Sequence, residues 1–255
     1  MLLCIDVGNT NIVFGLYDGS QLAGHWRVST DHQKMPDEYA VLASSLMASG
    51  GFGSAAIEDA VISSVVPPVT DRLCEMLQDH YGLDALVVGA GCKTGVAIRV
   101  DNPREVGADR IVNVAAAYPV YGGPACIIDF GTATTFDAVS TKGEYLGGAI
   151  APGIRIAAEA LFQRTAKLPR IDLQRPPKAV GTNTVDSMRS GILFGYVSLV
   201  EGMVARFRSE LGLTMQVVAT GGLARTISRE TRAIEHVDPW LTLKGLRVIY
   251  DLNRS

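Results

Sequence analysis

Cysteine and histidine are scarce in this chain, with four of each in 255 residues. Cys4, Cys74, Cys92 and Cys126 show no C-x-x-C spacing and lie largely among apolar neighbours, so they read as reduced packing residues of a cytoplasmic protein. The histidines are equally dispersed, and no zinc site is expected. An excess of one charge is also missing. The net charge is −3 with both signs interspersed, which leaves no basic face to track phosphates and excludes nucleic acid as the main expected partner. No apolar run reaches about 18 residues, and the opening Met1-Leu-Leu-Cys-Ile5 meets Asp6 too early for the apolar region of a signal peptide. Neither a membrane nor export is expected. There is no linker rich in proline or serine. What remains is 47% hydrophobic and 19% charged composition, enough for one large domain or two modest ones, each with a core.

The apolar pattern opens with three short strands, Leu2 to Asp6, Ile12 to Tyr17 and Gln21 to Ser29, separated by Asn/Gly and Asp/Gly turns. Residues 37 to 48 have helical spacing, and Ala60 to Val66 reads as a buried strand stopped by Pro67-Pro68. A second unit begins near Gly107 with a helix to about Tyr118, then strands at Ala125 to Asp129, Thr134 to Val139 and Glu144 to Ile150. A long helix is predicted from Thr184 to about Leu211, with Gly191, Gly195 and Gly202 permitting close approach of a neighbour. A strand at Met215 to Ala219 and a last helix from Leu241 to Asn253 follow. Asp6-Val-Gly-Asn-Thr10 and Asp129-Phe-Gly-Thr-Ala133 lie 123 residues apart, and each follows an apolar strand and leads into another. That repetition predicts a duplicated α/β unit with a cleft between its halves.

Gly89-Ala-Gly-Cys-Lys-Thr94 is a decoy. Cys92 and Val87 stand where a P-loop needs glycine, and Thr94 stands where a dinucleotide fingerprint needs its third glycine. The turn at 6 to 10 is chemically better suited to a polyphosphate. Asp6 at a strand end can hold Mg2+, Gly8 lets the backbone approach a phosphate, and Asn9 and Thr10 supply uncharged donors. A plain hairpin turn is the competing reading, since Gly-Asn favours one. The second copy adds Asp129 for a cation and the hydroxyls of Thr132, Thr134 and Thr135, against the reading that threonines merely favour a strand. Asp109 and Arg110 open a helix, where N–H groups favour anions and arginine can pair with a carboxylate, although aspartate is common there for the dipole alone. Thr220-Gly-Gly222 is either a turn needing positive φ or a flat surface for adenosine.

Taken as an ordered set, these residues resemble the type III pantothenate kinases, small members of the superfamily that includes actin, sugar kinases and heat-shock chaperones. The resemblance spans nearly the whole chain. It rests on Asp6 to Asn11, Asp37-Glu-Tyr39, Ser63-Ser-Val-Val-Pro-Pro68, Asn102 to Arg110, Asp129 to Thr134, Gly147 to Gly153, Gly181-Thr-Asn-Thr184 and Ala219-Thr-Gly-Gly222. It implies an α/β fold of two ribonuclease-H-like halves about a central cleft, expected over residues 1–106 and 107–255. It also implies a homodimer, ATP and pantothenate as substrates at the entry to coenzyme A synthesis, and dependence on Mg2+ and on K+ or NH4+.

By the same resemblance Asp6, Val7, Gly8, Asn9, Thr10, Asn11, Ile12 and Val13 bind ATP phosphates, with Asp6 near Mg2+. Asp109 is the proton acceptor. Gly107, Ala108, Asp109 and Arg110 contact pantothenate, Thr184 reaches it across the dimer, and Val100 lines its pocket. Asp129 is the monovalent-cation ligand, Thr132 touches ATP, and Gly221 and Gly222 form the adenosine turn. Val100 is a departure, since some relatives carry an aromatic residue there. Two other readings stay open: a relative phosphorylating another small hydroxylated substrate, and a non-catalytic regulatory protein of this fold. Intact Asp6, Asp109 and Asp129 weigh against the second.

Overall fold

The structure, a computed structural model, describes residues 1–53 and 57–254. Its first sheet is built from β1 (Leu2–Val7), β2 (Asn11–Asp18), β3 (Gln21–Ser29), β4 (Asp59–Ser64) and β5 (Leu86–Val87), in the order β3-β2-β1-β4-β5. The first three strands run antiparallel through tight turns, and β4 and β5 add in parallel after helical crossovers. Between β3 and β4 comes α1 (Pro36–Ser49), and between β4 and β5 comes α2 (Pro67–Tyr81). β4 ends at Ser64, short of the expected Val66, and Pro67 and Pro68 instead occupy the first turn of α2, where a missing N–H costs nothing. This helix was not predicted.

The second sheet repeats the plan with β6 (Ala125–Phe130), β7 (Ala133–Val139), β8 (Tyr145–Pro152), β9 (Gln216–Gly221) and β10 (His236–Val237), in the order β10-β9-β6-β7-β8. Again three antiparallel strands are followed by two parallel ones. The predicted duplication of a ribonuclease-H-like unit is therefore present strand for strand. The helices of this half are α4 (Ile154–Arg164), α5 (Thr184–Leu211) and α6 (Ala224–Ser228). α5 is long and apolar enough to cross a bilayer, yet its Ile192, Tyr196, Val200 and Val204 are buried in one cluster with β6 and β9 residues in the core of this half. It is a core helix.

Two helices complete the chain, α3 (Ala108–Tyr121) and α7 (Leu241–Arg254). By compactness the chain divides differently from the expected boundary after residue 106. One unit holds Met1–Val96, Asp101–Ala116 and the stretch from Leu241, and the other holds Ala97–Val100 and Ala117–Trp240. The reason lies in the packing of α7. A methyl on Gly245 would collide with the carbonyl of Val112, and one on Gly15 would meet the Leu243 side chain. The Tyr250 hydroxyl donates to Asp59 at the start of β4, and Arg254 pairs with the same carboxylate at 2.8 Å. The last helix thus covers β1 and β4 of the first sheet.

Candidate functional site

In β1 the odd residues Leu3, Ile5 and Val7 enter the core shared with α1 and α2. The even residues Cys4 and Asp6 therefore face the other side of the sheet, on which α7 packs. Cys4 is fully buried there and its thiol is pushed far up by burial, so it is inert packing. Asp6 is half-buried at the strand end. Its in-register neighbours are Val13 on β2 and Ser63 on β4. The following turn is closed by the Gly8 N–H donating to the Asn11 carbonyl at 2.9 Å. It is braced from the end of β3, where the Thr30 hydroxyl donates to the Gly8 carbonyl at 2.6 Å and the Thr30 N–H to the Thr10 carbonyl at 2.9 Å. Asn9, Thr10 and Asn11 are left exposed at the tip, and Ile12 and Val13 carry the strand back inside.

β4 leads from Asp6 towards Asp109. The Val65 N–H donates to the Val7 carbonyl at 3.1 Å, extending the ladder past Ser64, and a methyl on Gly107 would stand 3.6 Å from a Val65 methyl. Residues 102 to 105 are shaped by Asn102, whose side-chain oxygen accepts from the Arg104 N–H at 3.3 Å and whose amide donates to Glu105 at 2.6 Å. A Cβ at Gly107 would lie 2.5 Å from the Asp109 carboxylate and displace it from its present position. Asp109 accepts the Arg110 N–H at 2.9 Å, as a first-turn aspartate does. Burial raises its carboxyl above the ordinary carboxylate range, opposed by that N–H and the Arg110 charge. Ala108 and Arg110 share this half-buried turn.

The second half carries a parallel arrangement. Asp129 is half-buried at the end of β6, in register with Thr135 on β7 and Thr220 on β9. Its turn is shorter by one residue, closed by the Gly131 N–H donating to the Ala133 carbonyl at 3.0 Å. The brace comes from the end of β8, where the Gly153 N–H donates to the Thr132 carbonyl at 3.1 Å. Any side chain on Gly153 would strike the Thr132 and Gly131 carbonyls. Gly221 has φ +89, and a Cβ there would overlap Asp129 Oδ1 and the Phe130 backbone. The structure thus brings together Asp129, the Thr132 turn and the Gly221-Gly222 turn. Val100 lies 3.5 Å from where a methyl on Gly147 would stand. Thr184, at the first turn of α5, lines a separate cavity of about 690 Å³ with Leu161, Leu168 and Met188.

The decoy loop is structural, since Lys93 exchanges backbone hydrogen bonds with the Asn253 side chain at 3.0 and 2.8 Å. Sequence reasoning gave no role to the braces Thr30 and Gly153. Of the two, only Gly153 had a visible signal, in the Gly147 to Gly153 motif.

No group of three or more histidine, cysteine or acidic side chains could hold a metal among the described residues. Ser63 beside Asp6 has a fully buried hydroxyl with no partner among the described residues, and a glycine is required against Asp129. Both strand ends therefore fit a cation beside a phosphate.

The sequence profile of the type III pantothenate kinase family matches residues 2–206. The chain belongs to the type III pantothenate kinase family. Type III pantothenate kinases from Moorella thermoacetica and Pelobacter propionicus are 56% and 55% identical to it over 99% and 100% of this chain and the whole of each relative. Among solved structures, a Campylobacter jejuni protein described as a Baf family transcriptional activator matches with TM-score 0.62 over 99% of this chain and 98% of its own. At 19% identity that likeness speaks to the fold alone, so it lends nothing to the regulatory reading.

Proposed function

We propose that this member of the family transfers the γ-phosphoryl group of ATP to the primary hydroxyl of pantothenate, forming 4'-phosphopantothenate at the entry to coenzyme A synthesis. Phosphoryl transfer asks a protein chiefly to position groups and balance charge. Asp109 accepts the proton of the attacking hydroxyl, and its raised affinity for a proton suits it to that task. Gly107 and Ala108 let the substrate lie against the backbone, and Arg110 pairs with the pantothenate carboxylate. Residues 6 to 13 hold the ATP phosphates through backbone N–H groups and the Asn9, Thr10 and Asn11 side chains. Asp6 holds Mg2+, which supplies neutralisation of the phosphate oxygens when bound. Asp129 holds K+ or NH4+, Thr132 contacts ATP, and Gly221-Gly222 accommodates adenosine. Val100 forms one wall of the substrate pocket.

In this reading phosphate binding is work of residues 1–106, and pantothenate, cation, adenosine and dimer contacts are work of residues 107–255. The chain acts as a homodimer in the cytoplasm. Exposed Gly191, Gly195 and Gly202, with open space above each, leave the outer face of α5 available to a second copy, and Thr184 opens that same helix.

The observation that supports this reading most strongly is in the first unit. The strand end bearing Asp6 and the glycine loop preceding Asp109 are joined through Val65. A coupled ADP-release assay tests it. Rapid release is expected with pantothenate in K+, and background release with pantothenate but full release with another hydroxylated acid or sugar would overturn the substrate assignment.

A further inference from the structure

Ser63 is fully buried, and its hydroxyl has no hydrogen-bond partner among the described residues. A buried hydroxyl without a partner leaves its desolvation uncompensated, whereas alanine in the same place would incur no such cost. The group stands in register with Asp6 on adjacent parallel strands. In-register neighbours lie about 4.8 Å apart and point to the same face of the sheet. On the other side of Asp6 the in-register neighbour is Val13, which offers no donor. Of the two strands flanking the carboxylate, only β4 therefore presents a hydroxyl to it. The second half repeats this placement, for Thr220 is buried and in register with Asp129.

We infer that Ser63 is a positioning residue for Asp6, its hydroxyl donating the hydrogen bond that fixes the carboxylate when it holds the divalent cation. The inference rests on the assignment of Asp6 to that cation. A serine moves between staggered rotamers at little cost, so the hydroxyl can turn towards the neighbouring strand without backbone movement. Metal-binding carboxylates are themselves usually hydrogen-bonded, and loss of such a support costs ~10–100-fold in metal affinity. The burial of Ser63 is offset only in the loaded state, which accounts for a hydroxyl kept where packing alone would favour a methyl.

Binding of Mn2+ as a probe, read by electron paramagnetic resonance with a non-hydrolysable ATP analogue, tests this without turnover. For Ser63→Ala the half-saturating Mn2+ concentration is expected to rise about tenfold, while the melting temperature without cation holds or rises. Asp6→Asn, measured alongside, should raise it further. If Asp6→Asn shifts binding and Ser63→Ala stays within about twofold of wild type, the inference is overturned and the Asp6 assignment stands. It is overturned equally if Ser63→Ala lowers the melting temperature with binding unchanged, the mark of a structural hydroxyl. If neither variant shifts binding, the Asp6 assignment has failed and takes Ser63 with it. Should Ser63→Ala not fold, Ser63→Cys, a weaker donor, is read against the same threshold.

Discussion

The two halves share a strand order, an aspartate at the end of the central strand and a turn braced from the end of the third strand, yet they differ at the next parallel strand. In the first half, Ser64 pairs with Val7 and the ladder continues to Val65, whose side chain lies beside Gly107 in the loop before Asp109. In the second, the equivalent position opposite Phe130 is Gly221, whose left-handed backbone turns the chain away directly against Asp129. The same difference marks the braces. Thr30 adds a side-chain hydrogen bond to its turn, whereas Gly153 approaches so closely that no side chain fits. A duplicated scaffold thus places a hydroxyl beside each aspartate, Ser63 in the first half and Thr220 in the second, but closes its turns differently, once with a side-chain brace and once with bare backbone. In the proposed reading the first strand end serves a divalent ion and a proton acceptor, and the second a monovalent ion and the flat body of a nucleoside.

The strongest challenge to this division is Asp109→Asn. Asparagine can still accept the Arg110 N–H, so a merely structural aspartate would leave turnover largely intact. As the proton acceptor, its loss should lower kcat at least about a hundredfold, while pantothenate affinity measured by calorimetry changes far less. Retention of more than about a tenth of wild-type kcat would contradict the assignment.

A smaller effect contrasts equivalent positions. Gly221→Ala must adopt φ +89 and displace Asp129 or Phe130, and should cost about 1–3 kcal/mol in denaturant unfolding and weaken ATP binding. Ser64→Ala loses only the hydrogen bond its hydroxyl accepts from the Val66 N–H at 3.0 Å, and should cost about 1 kcal/mol or less. Equal costs would mean that the two strand ends are not specialised.

The smallest effect concerns pH. Because burial raises the Asp109 carboxyl, the folded chain holds that proton to higher pH than the unfolded chain does. Wild-type stability relative to Asp109→Asn should therefore fall as pH rises from the ordinary carboxylate range through the raised value, then level off. Urea unfolding of both proteins across that range measures it. The acid limb of kcat/KM should likewise lie above the ordinary carboxylate range, since the base must be ionised.

Much of this was legible in the sequence where local chemistry and tertiary structure agree. The strands ending at Asp6 and Asp129 are apolar runs closed by glycine turns, and their repetition disclosed the duplication. α2 was hidden because Pro67-Pro68 reads as a strand stop, whereas β4 already ends at Ser64 and the prolines open the helix. α4 has one buried residue, Ile154, and hence little apolar stripe to find. β5 and β10 are two residues long and exist only through pairing with β4 and β9. The return of α7 to the first unit depends on Gly15 and Gly245, whose role is a matter of distant neighbours. At the candidate site, residue types were readable, but the isolation of the Ser63 hydroxyl and the required glycine at 221 depend on strand register.

The division of labour is tested most directly by the melting temperatures of Asp6→Asn and Asp129→Ala with a non-hydrolysable ATP analogue, titrated with Mg2+ and, separately, with K+ against Na+. The account predicts that Asp129→Ala loses the preference for K+ over Na+ while keeping its Mg2+ response, and that Asp6→Asn does the reverse. Loss of both responses in both variants, or retention of the K+ preference by Asp129→Ala, would contradict it.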